Sequence, residues 1–408
     1  MGERVALVLS SGGARGAYEA GVLSVLLPEL ERRGQRPTVL VGTSAGALNA
    51  TSLAADADQN AEVAASRLVQ RWRALRHSDV FHSISRWQAP WSAFGYVGEV
   101  LGLPGVCLPG FLDPAPLRGS LDRMLDWPAV HRNVRDGVLD CVAVVASHAA
   151  NSRSTVFVEG HRQAGLPAGR TIDYVAATLS NDHLMASAAI PMLFPAVRVE
   201  EPVATAGWYY DGSARLSTPL EPALELDVDR VAVVGTHSIA PRQSEFWSAD
   251  DTRPDFADGA VQLLTAMLIA PMIEDVRRLG QVNELVSGAD KAVAAHRRAL
   301  DKKPYRHVPY MFVAPATRGV LGDIASEVFR RNYRGYRAVT APDLVILSRL
   351  LGGESEQHGE LISYLLFERD FLDEAITLGS YDAQRWFDRV PGPSAPWYLP
   401  SIDTLSDS

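Results

Sequence analysis

Thr38-Val39-Leu40-Val41-Gly42-Thr43-Ser44-Ala45-Gly46-Ala47-Leu48-Asn49 decides the fold class of this chain. A short apolar run, Thr38 to Val41, leads into Gly42-Thr43-Ser44-Ala45-Gly46, and Ala47 to Ala54 then reads as a helix. Strand, G-x-S-x-G and helix in that order make the setting of a nucleophile elbow, a sharp turn that holds a serine hydroxyl out of the sheet edge. Small residues flank the serine because strand and helix pack closely there. The helix N-terminus aims unpaired N–H groups and its positive dipole end at Ser44, where negative charge develops in acyl transfer.

Outward from the elbow, strand-like and helix-like segments alternate, as in a mostly parallel sheet with helices on its faces. Val5–Leu9 reads as a strand, Ala17 to Arg33 as a helix, and Asn60 to Leu75 as another helix. Cys141–Ala146, Ser154–Val158, Arg230–Val234 and Tyr310–Val313 read as further strands. Beyond about residue 320 the strand signals stop, and Ile324–Arg337, Ala341–Leu351, Glu356–Glu368, Phe371–Leu378 and Ala383–Phe387 read as helices packed on the sheet. The tail from Pro391 is proline-rich, then polar, and reads as an extended arm or a frayed end. The expected division is an α/β domain over residues 1–320, a C-terminal helical region over 321–390 packed on it, and the tail 391–408.

Between the first strand and its helix lies Ser10-Ser11-Gly12-Gly13-Ala14-Arg15-Gly16. Consecutive glycines expose backbone N–H groups and tolerate positive φ, so such a loop cradles a phosphate or an oxyanion. The G-K-[ST] ending of a P-loop is missing, and Ser11 stands where a dinucleotide fingerprint needs its first glycine. An oxyanion loop fits better, because an elbow serine on the neighbouring strand requires one.

A serine hydroxyl needs a base to take its proton. Asp211, in Trp208-Tyr209-Tyr210-Asp211-Gly212-Ser213, ends an aromatic strand-like run at a tight turn. His237, just beyond the strand Val231–Val234, would complete the chain order Ser44, Asp211, His237 of an α/β-hydrolase triad. Against the triad, the serine falls on only the second strand, earlier than that fold places it. No closely spaced His/Asp/Glu cluster calls for a metal.

Four blocks of the chain together resemble the patatin-like phospholipases of bacterial type. They are Ser11 to Leu23 with its glycine loop, Gly42 to Ala47, Ala186-Ser187-Ala188-Ala189-Ile190-Pro191-Met192-Leu193-Phe194-Pro195, and Asp211-Gly212. They occur in the family's order over about residues 4 to 235. The resemblance implies a three-layer α/β sandwich and a cofactor-free acyl hydrolase with a Ser44–Asp211 dyad. It also implies an oxyanion hole from the amides of Gly12 and Gly13, with Ala14 or Ala45. Arg15, Gly16, Gly42, Gly46 and Gly212 are then supporting residues, Arg15 bracing the loop or meeting a phosphate head group. Two departures stand out: Ser11 replaces the family's usual glycine, and Ser213 replaces the glycine or alanine that usually follows Asp-Gly. The implied substrate is a phospholipid or another acyl-ester lipid, of phospholipase A or lysophospholipase type, reached by peripheral membrane contact. The alternatives are a lipid-binding or regulatory protein with a retained site, and an esterase using His237.

Composition agrees with that class. In 408 residues, 47% are hydrophobic and 21% charged, ordinary for a globular protein. A net charge of −9 argues against a nucleic-acid partner and gives no broad pull toward anionic membranes. Two cysteines, Cys107 and Cys141, fit a reducing cytoplasm. No uncharged apolar run reaches the roughly 20 residues of a membrane span; the longest candidate, Gly259 to Ile273, carries Pro271. From Trp87 to Phe111 the only charge is Glu99, and the aromatic residues there are broken by glycine and proline. That pattern suits a lid or acyl-pocket wall, or a buried crossover.

Overall fold

The computed structural model describes residues 3–81, 112–151, 153–160, 166, 171–191, 193–238, 276–286, 294–299, 305–333, 356–390 and 395–402. The segment Trp87–Phe111, the helix expected over Ala341–Leu351 and the apolar run Gly259–Ile273 lie outside these residues.

Among the described residues a mixed sheet of nine strands forms the centre. The strands are β1 (Val5–Leu9), β2 (Val39–Thr43), β3 (Cys141–His148), β4 (Ser154–Gly160), β5 (Ile172–Ala176), β6 (Val197–Val199), β7 (Gly207–Asp211), β8 (Arg230–Val234) and β9 (Tyr310–Val313). Their order is β5-β4-β3-β2-β1-β8-β9, with β7 bridging β3 to β6. β3, β2, β1, β8 and β9 run parallel, whereas β4 is antiparallel to β3. The central strands β1, β2 and β8 are valine-, leucine- and alanine-rich and buried almost throughout, as expected of parallel strands covered on both faces. Helices α1 (Gly16–Arg32), α2 (Ala45–Ala55) and α3 (Ala61–Ala74) follow the first two strands. The expected α/β fold, with a mostly parallel sheet flanked by helices and extra helices at the C-terminal end, is what the chain adopts.

One register places the chemistry. β2 pairs with β3 as far as Thr43↔Val145, and the next residue of β3, Ala146, pairs with Asp211 of the antiparallel β7. The end of β7 therefore abuts the end of β2, and Asp211 meets the chain where it leaves β2 as Ser44. β6, with three residues, and β5, with Asp173 as its second residue, escape a reading based on apolar runs.

Two helix expectations need correction. Phe371–Leu378 and Ala383–Phe387 belong to one helix, Arg369–Arg389. Gly379 does not end it, because that glycine is a packing site: a Cβ there would overlap the Tyr18 carbonyl oxygen of α1, and a Cβ on Gly21 would overlap that of Ile376. Ser380 Oγ donates to Gly21 O at 3.1 Å across the same crossing. The helix expected over Glu356–Glu368 stops at Leu365, where the chain turns to bury Leu366 and Phe367. In the tail, Tyr398 exchanges two backbone hydrogen bonds of 2.8 Å with Tyr310 on β9, and Trp397 and Ile402 are buried. Residues 395–402 are thus a docked arm and not a frayed end.

Candidate active site

Ser44 sits between β2 and α2 with φ +56° and ψ −121°. A non-glycine residue at positive φ is strained by about 1–3 kcal/mol and persists only where its surroundings impose it. Here they do. Ser44 N–H donates to Ser187 Oγ at 2.8 Å, and Ser187 Oγ donates to Val145 O at 2.6 Å, so one hydroxyl ties the elbow to β3. Thr43 Oγ1 donates to Leu216 O at 2.8 Å on the preceding residue. Gly42 and Gly46 make the turn possible: a Cβ on Gly42 would overlap the Gly46 carbonyl, and one on Gly46 would overlap that of Leu9. The Gly42–Gly46 requirement read from the sequence is therefore one of backbone contact between strand, helix and β1.

Asp211 is fully buried at the end of β7. Its Oδ1 accepts the Ser213 N–H at 2.8 Å, while Oδ2 has no hydrogen-bond partner among the described residues. Burial pushes its pKa up to about 6, against the opposing pull of the Ser213 N–H and of the Ser44 and Ser213 hydroxyls. The carboxyl group thus has one anchored oxygen and one open oxygen, beside the elbow serine. Gly212 packs against Val145 of β3, and the Ser213 hydroxyl is a second buried polar atom without a partner among the described residues.

The glycine loop lies beside the elbow. Ser11 N–H donates to Ser217 O at 2.7 Å, and Ser10 N–H to Glu19 Oε1 at 2.7 Å, which anchors the start of the loop. The Arg15 and Gly16 N–H groups bond back to the loop's own carbonyls. The N–H groups of Gly12, Gly13 and Ala14 make no hydrogen bond among the described residues. Gly13 adopts φ +54°, and a Cβ on it would overlap the Tyr364 carbonyl oxygen, so no other residue fits. The loop therefore presents three unclaimed amides next to the first turn of α2, the arrangement an oxyanion requires.

Arg15 is 1% exposed and reaches Ser363, Glu360 and Thr236, not solvent. These contacts tie the guanidinium to the helix Glu356–Leu365 and to the chain just after β8. Gly16 packs beneath the Trp72 ring, and Trp72 Nε1–H donates to Asn49 Oδ1 at 2.7 Å. Asn49 Nδ2 donates to Glu19 Oε2 at 2.8 Å, and burial pushes the Glu19 carboxyl up to about 8. This Glu19–Asn49–Trp72 relay supports the loop from below. Its only sequence signal is Glu19, the one charged residue in the stretch Gly16–Leu27.

His237 is brought near the site without joining the serine and aspartate. Its Nε2 lies 3.1 Å from Tyr364 OH and its Nδ1 3.3 Å from Thr236 Oγ1, and no hydrogen bond links it to Asp211 among the described residues. Burial, then the charges of Arg15 and Arg318, hold its pKa well below the usual histidine value, so it is neutral at pH 7.

Ser44, Gly13 and Ala45 open onto a pocket with about 660 Å³ of empty space, counting its mouth. Its walls are apolar: Leu48, Trp72, Leu184, Ile190, Phe194 and Phe367 among them. Phe367 and Tyr364 come from a part of the chain in which the sequence showed no site motif. Among the described residues no group of three or more His, Cys, Asp or Glu is placed to hold a metal ion, and no helix is long and apolar enough to cross a membrane.

No curated protein matches the chain. Among solved structures it is similar to VipD from Legionella pneumophila, at 12% identity and a TM-score of 0.32, covering 94% of this chain and 66% of that one. The chain thus spans just under two thirds of that protein's length. The model of the patatin-like phospholipases matches residues 7–224, more than half of the 408 residues, and takes in the glycine loop, the Ser44 elbow and Asp211. By that match the chain belongs to the patatin-like phospholipase family.

Proposed function

We propose that the protein is a serine acyl hydrolase of lipid carboxyl esters, of phospholipase A or lysophospholipase type, working through a Ser44–Asp211 dyad. The observation that carries this reading is the strained Ser44 lining an apolar pocket with Gly13, together with the buried Asp211 carboxyl at the end of β7 and the three unclaimed loop amides. Family membership supports a hydrolase in general. The apolar walls suit a fatty acyl chain, whose ester carbonyl would lie over Ser44.

In acylation, Asp211 Oδ2 takes the hydroxyl proton as Ser44 Oγ attacks the ester carbonyl carbon. The carbonyl electron pair moves onto oxygen, and the Gly12, Gly13 and Ala14 amides receive that charge. On collapse the C–O bond to the leaving alcohol breaks, and Asp211 returns the proton to the alcohol oxygen. Water then repeats the sequence: Asp211 takes its proton, hydroxide attacks the acyl-enzyme, and Ser44 leaves with the proton restored. A carboxyl with pKa about 6 is ionised at pH 7, yet basic enough to take a proton in the transition state. No step requires a cofactor.

The test is turnover of an ester panel differing in chain length and head group, with fluorophosphonate labelling and a Ser44→Ala control. Expected are long-chain ester hydrolysis and labelling by the wild type, both lost in the variant. Turnover that survives in Ser44→Ala would overturn the nucleophile assignment. Folded wild type that neither turns over nor labels would favour a lipid-binding role instead.

A further inference from the structure

We infer that the helix Glu356–Leu365 is a positioning element for the oxyanion loop, acting through Glu360 and Ser363 on Arg15 and through the Tyr364 backbone on Gly13. This deepens the acyl-hydrolase reading above and rests on it. The helix lies outside residues 7–224, the part matched by the family, so its contribution belongs to this chain's own C-terminal region.

Arg15 is held on every side. Its Nε donates to Ser363 Oγ at 2.6 Å, and its Nη2 donates to Glu360 O at 3.0 Å and to Glu360 Oε2 at 2.5 Å. Its Nη1 donates to Thr236 O at 3.3 Å, and the guanidinium lies 4.8 Å from the centre of the Tyr364 ring. A planar, permanently charged fork with each nitrogen engaged is a rigid peg, and a lysine cannot reproduce it. Arg15 follows Ala14 directly, so any displacement of the peg moves the amides of Gly13 and Ala14.

The second hold is backbone on backbone. The Tyr364 carbonyl oxygen occupies the space a Gly13 Cβ would need, so nothing but glycine separates helix from loop. The helix is itself seated against the helix Val320–Asn332, where a Cβ on Gly322 would come within 3.0 Å of the Gly359 carbonyl carbon. A chain of close contacts thus runs from the C-terminal helices to the donors of the oxyanion hole. Oxyanion donors act over a narrow range, and misplacement by about 1 Å can cost about a hundredfold in rate. A clasp that fixes them should therefore appear in kcat, not in substrate binding.

The experiment compares Glu360→Gln, Ser363→Ala, Glu360→Asp, Arg15→Lys and Arg15→Lys/Glu360→Gln in the full-length protein, with a soluble short-chain ester and thermal melts. Expected for Glu360→Gln is a fall in kcat of about tenfold to a hundredfold with KM changed by less than about threefold. Glu360→Asp should recover part of that loss, and the double variant should be little worse than Arg15→Lys alone, because one unit is being broken. Ser363→Ala, which removes a single hydroxyl, decides the matter if Glu360→Gln fails to fold. Unchanged kcat in folded variants, or a rise in KM alone, would overturn the clasp and leave the helix as a pocket wall. A wild type without turnover or labelling would overturn the acyl-hydrolase reading itself.

Discussion

Two segments meet at one pocket and differ in how they are written. The first, residues 10–16 and 42–46, contributes the loop and the elbow, and every position there but Arg15 and Thr43 is glycine, alanine or serine. Residues 356–367 contribute Glu360, Ser363, Tyr364 and Phe367 from an ordinary-looking amphipathic helix and the turn after it. The first segment is constrained by its backbone: positive φ at Gly13 and Ser44, and carbonyl contacts at Gly42 and Gly46. Few residue types satisfy such demands, so the constraint is visible as a motif. The second segment is constrained by what its side chains touch, and many helices could present such side chains. Reaction geometry is thus written locally, whereas the support for that geometry comes from more than 300 residues away along the chain.

The largest expected effects break the first segment or the carboxylate that faces it. Ser44→Ala and Asp211→Asn should each lower kcat/KM by about 10⁴-fold or more, and the double variant should be no worse, since residues acting as a unit lose activity together. Steady-state turnover of a soluble ester measures this, and an additive double variant would separate the two roles. Next comes Gly13→Ala. Losing one oxyanion donor costs about 10²–10³ in kcat, and the added Cβ would also push against Tyr364, so this substitution strikes both segments at their contact. A loss expressed only in KM would mean that the loop binds substrate without stabilising the transition state.

What could be read from the sequence follows the same division. The α/β class, β1, β2, β8 and β9 were legible because buried parallel strands are written as uninterrupted apolar runs. Ser44, Asp211 and the loop were legible because their turns admit few residue types. Ser187 was quoted within a motif block, yet nothing in that block says that its hydroxyl receives the Ser44 amide. The function of Arg15 was left open between brace and head-group contact, because its partners Glu360 and Ser363 are joined to it only by the fold. The single helix Arg369–Arg389 was split in two because Gly379 looks like a breaker until Tyr18 is seen against it. A glycine required by a neighbour cannot be told from one that ends a helix by composition alone.

Titration gives an intermediate effect. Since Asp211 must be ionised to accept the proton, kcat/KM should climb about tenfold per pH unit below 6 and level off above it. Stability should run the other way. The folded pKa of about 6 lies above the ordinary aspartate value of 3.8, so folding favours the protonated carboxyl. That contribution is fully present below the unfolded value and is lost as pH rises through about 6, by on the order of 3 kcal/mol. Asp211→Asn should therefore melt higher than wild type at pH 8 while being inactive, and by a smaller margin at pH 4. Equal melting temperatures at pH 8 would show that the carboxylate is better solvated than its burial suggests.

The smallest effect is expected at His237, where the two segments touch without sharing the chemistry. Its Nε2 faces Tyr364 OH at 3.1 Å and its Nδ1 faces Thr236 Oγ1 at 3.3 Å, and no hydrogen bond joins the ring to Ser44 or Asp211 among the described residues. A triad would instead need an imidazole between serine and aspartate, in the place where Asp211 itself abuts the end of β2. His237→Ala should thus lower kcat by only a few-fold, through the loosened Tyr364 side chain, and should leave the acid limb of the pH profile near 6. Kinetics across pH 5 to 9 with a soluble ester would measure both quantities. A folded His237→Ala protein that loses two or more orders of magnitude in kcat would replace the dyad with a triad, and would move His237 from the surroundings of the site into the reaction.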